Sequence, residues 1–232
     1  MLAPAKLTRS LRITGVRADG YHLIDAEFVS LDLADGLTFT DGDDVRYTGE
    51  YPVTAGHGDD LVARALRAVR RRAAVTVHKR IPVGGGLGGG SADAAAVLRW
   101  AGCTDMAVAA ALGADVAFCL RGGRARVGGV GEVLEPLPFV PLAFTLLVPP
   151  LASPTPAVYR RWDAMGGPVG DSGNDLEPAA MAEQPELARW RDVLGDATGL
   201  TPRLAGSGST WFVEGEYPGA GRIIAHAIPA YD

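Results

Sequence analysis

The densest chemical signal in the chain is a seven-residue run, Gly84-Gly85-Gly86-Leu87-Gly88-Gly89-Gly90, followed at once by Ser91. The stretch before it, 74–78, alternates like a strand, and the alanine-rich stretch after it, 91–101, reads as a helix. A helix start leaves N–H groups unpaired, with partial positive charge. Glycines ahead of it let a phosphate chain approach the backbone with no Cβ in the way. Ser91 adds a hydroxyl at the same point. The segment reads as a phosphate cradle. A simple glycine hinge is the plain alternative, and six glycines in seven residues opening directly onto a helix argue against it. A second signal is the scarcity of lysine. Of 22 basic residues only Lys6 and Lys79 are lysines. An arginine-favouring genome would account for the bias. Even so, an amine at these two positions points to chemistry that a guanidinium does not replace.

Three kinds of phosphate loop compete for this segment. Gly84, Gly86 and Gly89 satisfy the dinucleotide pattern, with Asp105 at a suitable distance for a ribose contact. That reading needs a second strand ending at the acid, and the residues before Asp105 do not form one. The P-loop pattern requires lysine after its last glycine, where this chain has Gly90. The remaining reading is the phosphate loop of another kinase class.

The elements that must position this loop follow from periodicity. Strands are expected at 6–14 and 25–40, with a turn at Ala18-Asp19-Gly20 between them. Helices are expected at 60–72, 91–101 and 105–112, and a hairpin at 124–134. The proline cluster at 136–141 marks the best domain boundary, giving an N-terminal domain over 1–138 and a second over 139–232. Beyond it come a strand at 143–148, helices near 156–163, 174–182 and 185–195, strands at 201–205 and 210–214, and a closing helix near 219–227. Strands and helices mix without a strict βαβ rhythm, so the expected class is α+β in two halves.

Composition narrows the partners. The chain has 232 residues, 47% hydrophobic and 21% charged, with a net charge of −5. It can bury a full core. A mildly acidic protein is a poor non-specific nucleic-acid binder. Cys103 and Cys119 form no disulfide framework and no zinc spacing. The uncharged stretch 136–159 contains seven prolines, which exclude a membrane helix. The first residues carry no apolar block, so no signal peptide is expected and the chain reads as cytoplasmic. His57, His78 and His226 have no neighbours suggesting a site, and Asp93 reads as an acid favoured by the helix dipole. Oligomeric state leaves no mark in the sequence.

The glycine segment, 75–98, resembles the central motif of the GHMP kinase superfamily. Four further stretches extend the resemblance over nearly the whole chain: 3–22 (APAKLTRSLRITGVRADGYH), 112–123 (LGADVAFCLRGG), 173–180 (GNDLEPAA) and 204–212 (LAGSGSTWF). The pairing of Pro4-Ala5-Lys6 with the later Asp19-Gly20-Tyr21-His22 is similar to the branch acting on a cytidine-linked sugar alcohol. That resemblance implies a two-domain fold: an ATP-binding domain, then a ferredoxin-like α/β sandwich, with the site in the cleft between them. It implies phosphorylation of the 2-hydroxyl of 4-diphosphocytidyl-2-C-methyl-D-erythritol by ATP, in non-mevalonate isoprenoid precursor synthesis. By motif match, Lys6 and Asp115 correspond to the catalytic pair. Pro82, Val83, Gly84, Gly85, Gly86, Leu87, Gly88, Gly89, Gly90, Ser91 and Ala92 correspond to the ATP loop. Leu61 and Lys79 correspond to positions flanking the adenine. Tyr21 and His22 correspond to the cytosine site, with Tyr159 as a second aromatic wall.

The chemistry suits these types. An alcohol must lose its proton as the bond to phosphorus forms, so a carboxylate is a natural acceptor. A neighbouring lysine keeps that acid ionised and stabilises charge on the oxygens. A tyrosine ring stacks on a pyrimidine and a histidine bonds its polar edge. Ser207 and Ser209 lie in a glycine turn between two strands; the resemblance implies proximity to phosphate or substrate, and an ordinary hairpin is the equal alternative. Mg²⁺ is expected with ATP, with Asp115 and Ser91 as possible ligands. Two departures from the family pattern are Thr8 and Asp60, where asparagine is usual. The alternatives are a GHMP kinase for another small alcohol and a non-catalytic nucleotide-binding paralogue.

Overall fold

The computed structural model describes residues 1–51 and 60–231; His57 lies outside the described residues. Alternating apolar residues build two long antiparallel partners, β1 (Leu2–Val16) and β2 (His22–Thr40), joined by the Asp-Gly turn. Their register shifts between Pro4 and Lys6 and again between Thr8 and Ser10. Lys6, Leu7 and Thr8 thus form a regular stretch between two irregularities. Leu7 is fully buried in the core, while Lys6 and Thr8 share the opposite face.

The sheet continues with β3 (Val45–Gly49), β4 (Ala74–Lys79), β5 (Arg124–Gly128) and β6 (Val133–Pro136), in the order β3-β4-β2-β5-β6. β3, which the sequence pattern left undrawn, pairs parallel to β4. Helices α1 (Leu61–Ala68), α2 (Gly89–Trp100), α3 (Met106–Leu112) and α4 (Ala114–Arg121) pack with this sheet and one another. The centre of α2 is buried on all sides, from Ala92 to Leu98. Its alanines let β1, α1 and α4 approach closely. α4 was not anticipated: its apolar run, 116–120, is too short to show a helical period, and all five residues are buried.

The second half has its own sheet. β7 (Ala143–Leu147), β8 (Arg203–Leu204), β9 (Trp211–Glu214) and β10 (Arg222–His226) align in the order β10-β7-β9-β8, antiparallel throughout. This is the strand order of a ferredoxin-like sheet. The first crossover carries α5 (Thr155–Ala164), α6 (Glu177–Glu183) and α7 (Glu186–Thr198). The second, 215–221, is a loop without a helix. The closing helix expected near 219–227 is instead the strand β10. The glycines at 219 and 221 disfavour a helix start, and the β-branched Ile223 and Ile224 fit a pleated surface.

Side chains from 173–180 join the halves. Asp175 accepts from the backbone N–H of Ile13 at 2.9 Å and from Arg12 at 2.5 Å. Asn174 Nδ2 donates to the carbonyls of Leu204 (2.8 Å) and Gly206 (2.7 Å), and its Oδ1 accepts from Leu176 N at 3.0 Å. It therefore holds the turn that meets the glycine loop. Asn174→Ala strands two buried carbonyls and should lower the unfolding free energy by about 2–3 kcal/mol. Urea denaturation checks this; a loss below about 0.5 kcal/mol would remove Asn174 from that role.

Candidate active site

The glycine loop, between β4 and α2, is seated by backbone on both sides. Lys6 N donates to Leu87 O at 3.0 Å. From the other half, Thr210 reaches Gly85 O through its hydroxyl at 2.6 Å and its N–H at 3.2 Å. Two glycines in the loop admit no substitute. Gly88, the N-cap of α2, has φ +69°, and a Cβ there would lie 2.7 Å from Lys6 Cγ. Gly86 has φ +76°, and its Cβ would lie 2.6 Å from Gly208 O. The turn at 206–209 is thus the seat of the glycine loop.

Below the loop, Lys79 is buried between two carboxylates. Its Nζ donates to Asp35, and to Asp93 Oδ2 at 2.7 Å. Asp35 Oδ1 also accepts from the backbone of Arg80 (2.6 Å) and Ile81 (2.8 Å), bracing the chain entering the loop. Desolvation opposes the charge on Lys79, but its two acids outweigh it and hold the ammonium above the ordinary lysine range. Asp93 pays for the imbalance of two acids and one base. Burial, with Asp35 adding repulsion against the pull of Lys79, pushes its carboxyl up to about 7. Asp93 lies in the second turn of α2, beyond the reach of a first-turn dipole effect, so its partner is Lys79.

Lys6 and Asp115 meet. The ammonium of Lys6 is 3.3 Å from Asp115 Oδ2, donates to Thr8 Oγ1 at 3.0 Å, and lies 4.7 Å from the centre of the Phe28 ring. Thr8 therefore orients the amine. Asp115 sits in the first turn of α4, where the helix dipole favours a carboxylate. Its side chain stays 37% exposed, open to a ligand, while that of Lys6 is 8% exposed.

Two connected cavities flank the loop. One, about 400 Å³, runs over the glycines, Leu61, Lys79, Ile81, Pro82 and Val83, with Tyr47 and Asp60 at its side. Asp60 caps α1 through Val62 N (2.8 Å) and Ala63 N (3.3 Å) and accepts from Tyr47 Oη at 2.7 Å. The other, about 890 Å³, lies between the halves and takes in Lys6, Thr8, Asp115, Ser91, Ser207 and the aromatic group around His22. Leu61 borders both. Ala92 borders neither and is buried behind the loop. Ser207 faces the larger cavity, but Ser209 does not; it is fully buried.

The far end of the larger cavity holds Tyr21, His22 and Tyr159. Tyr21 is 61% exposed on the turn. The His22 ring lies 4.7 Å from that of Tyr159 and 5.4 Å from that of Trp162, centre to centre. Burial, with a contribution from Asp115, pushes the Tyr159 hydroxyl up to about 12. Trp162 and Asp163 carried no signal in the sequence, because only the packing of α5 against the start of β2 brings them to this site. His78 and His226 stand apart from it: His78 lies beside Thr48, and His226 between Asp32 (2.9 Å) and Glu216 (3.0 Å). Cys103 and Cys119 are free thiols. Among the described residues no cluster of three His, Cys, Asp or Glu is arranged to hold a metal, and no helix is long and apolar enough to cross a membrane.

A glycine loop opening a helix, a lysine–aspartate pair and a cleft between two α+β halves match the pattern of a small-molecule kinase of the GHMP type. The family model for the GHMP kinases N terminal domain matches residues 60–123. The chain is 42% identical to the 4-diphosphocytidyl-2-C-methyl-D-erythritol kinase of Paracoccus denitrificans (strain Pd 1222), over 90% of this chain and 84% of that one. It is 39% identical to the same enzyme of Ruegeria pomeroyi, over 97% and 92%. A crystal structure of 4-(cytidine 5'-diphospho)-2C-methyl-D-erythritol kinase superposes with a TM-score of 0.72 at 33% identity, covering 91% of this chain and 88% of that one. The chain belongs to the 4-diphosphocytidyl-2-C-methyl-D-erythritol kinase family, whose members are ATP-dependent phosphotransferases.

The raised Asp93 carboxyl has a stability signature. Between its unfolded value near 3.8 and about 7, the folded state holds a proton that the unfolded chain releases. This contribution is full below the lower value and is lost as pH rises through the upper one. Asp93→Asn should therefore flatten the fall in unfolding free energy from about pH 4 to 7, measured by denaturant titration. Parallel wild-type and variant profiles would contradict the assignment.

Proposed function

We propose that the chain transfers the γ-phosphoryl group of ATP to the 2-hydroxyl of 4-diphosphocytidyl-2-C-methyl-D-erythritol, in the cytoplasm, as a step of non-mevalonate isoprenoid precursor synthesis. The observation that carries this reading is the Lys6–Asp115 pair, 3.3 Å apart, opening into the cavity beside the glycine loop. Residues 1–138 form the nucleotide-binding domain and 139–232 the second wall of the cleft.

In this reading the nucleoside occupies the smaller cavity, against Leu61, Pro82 and Val83, and its phosphates follow the backbone of Gly84–Gly90 to Ser91 at the start of α2. Asp115 accepts the proton of the 2-hydroxyl as its oxygen bonds to the γ-phosphorus and the bond to the ADP oxygen breaks. Lys6, aimed by Thr8, stabilises the charge on the transferring oxygens. Lys79 does not reach the phosphates; it is neutralised from below and braces the loop. The cytosine lies at the Tyr21–His22–Tyr159 end, where a tyrosine face and an imidazole suit a pyrimidine. Mg²⁺ fits as an ion carried by the phosphates. It commonly takes only one or two protein oxygens, and Asp115 and Ser91 border the same cavity. When bound, it would neutralise phosphoryl charge.

Purified protein should convert the cytidyl sugar alcohol to its 2-phosphate with ATP and Mg²⁺. Folded protein without turnover above a no-enzyme control would reject the reading. Asp115→Asn should cut kcat by about 10²–10⁴ while ATP affinity stays within about tenfold, since the base acts in the transition state; near-normal kcat would remove Asp115 from that role. Tyr21→Ala should raise KM for the cytidyl substrate far more than KM for ATP, whereas equal effects would refute a pyrimidine platform.

A further inference from the structure

His22 and Asp163 come from opposite halves of the molecule, the first at the start of β2 and the second near the end of α5, yet His22 Nε2 lies 2.7 Å from Asp163 Oδ1. Both border the larger cavity. The His22 side chain is only 9% exposed and is held by ring contacts with Tyr159 and Trp162. A carboxylate only accepts hydrogen bonds, so Nε2 must carry the proton in this contact. In a neutral imidazole the other nitrogen is then an acceptor. No described residue pairs with Nδ1.

We infer that Asp163 is a positioning residue: it fixes His22 as the Nε2-protonated tautomer, so that Nδ1 acts as an acceptor and selects cytosine over uracil. The inference rests on the proposed cytidyl substrate and deepens it. Cytosine presents a donor, its 4-amino group. In the same pose uracil presents a 4-oxo acceptor, which meets the Nδ1 lone pair without a hydrogen. A mismatch of two acceptors at a buried imidazole discriminates more strongly than a lost apolar contact. Without Asp163 the imidazole can move its proton to Nδ1, and the preference disappears. Asp163 need touch neither the base nor the reacting atoms.

The test combines ring spectroscopy with selectivity. In protein labelled with ¹⁵N-histidine, assigned with a His22→Gln control, wild-type His22 should show a protonated Nε2 and a bare Nδ1 above neutral pH. CDP should compete against the cytidyl substrate at least about tenfold better than UDP. In Asp163→Ala the tautomer bias should vanish and the CDP:UDP ratio fall to about threefold or less, with KM for ATP and Tm unchanged. Asp163→Asn, whose Oδ1 can still accept, should recover most of the ratio. A wild-type ring protonated at Nδ1, or an Asp163→Ala ratio equal to wild type while turnover persists, overturns the role of Asp163 alone. Wild-type protein that neither binds CDP nor phosphorylates the cytidyl substrate overturns the proposed function, and this inference with it.

Discussion

The glycine loop has no room for side chains at its two tightest points. On one side Gly88 meets the aliphatic stem of Lys6, and on the other Gly86 meets the backbone at Gly208. This contact sets the relation between three parts distant in sequence: the first strand, the start of α2, and the turn from the second half. A Cβ at either glycine would push the lysine or the second half away. The seat thus also fixes where the Lys6 amine stands, because the stem that carries it is the one packed on Gly88.

The only two lysines occupy opposite electrostatic settings. Lys79 is buried, with two acids around it, and its charge is used internally to brace the chain entering the loop. Lys6 has a single, more exposed acid and a hydroxyl beside it, so part of its hydrogen-bonding capacity stays open to a ligand. The first amine is neutralised by the fold, and in the proposed reaction the second serves the substrate. Thr8 supplies one acceptor to the amine. Asp60 accepts from the α1 backbone and from Tyr47, which an acid does without an amide group.

Local signals in the sequence reached the loop, the two long strands and the α+β class, because glycine density and apolar alternation are short-range properties. Motif resemblance reached Lys6 and Asp115, and the structure places them in contact although 109 positions separate them. Where tertiary context decides, local reading failed. The segment 222–226 follows glycines and a turn, and only its partner β7 makes it a strand. α4 is too short and too apolar to show a period. Asp35, Trp162 and Asp163 sit in ordinary surroundings along the chain, and their roles come from what folds against them. Ser209 shows the reverse: it shares a glycine turn with Ser207, yet the chain turns it into the core.

In the proposed reaction the attacking hydroxyl and the terminal phosphate meet between Lys6 and Asp115. A crystal structure of the ternary complex, with a non-hydrolysable ATP analogue and the cytidyl sugar alcohol, tests it most directly. The 2-hydroxyl is predicted within hydrogen-bond reach of Asp115, with the γ-phosphate beside Lys6 and in line with that oxygen. A γ-phosphate or sugar alcohol bound away from this pair would contradict the account.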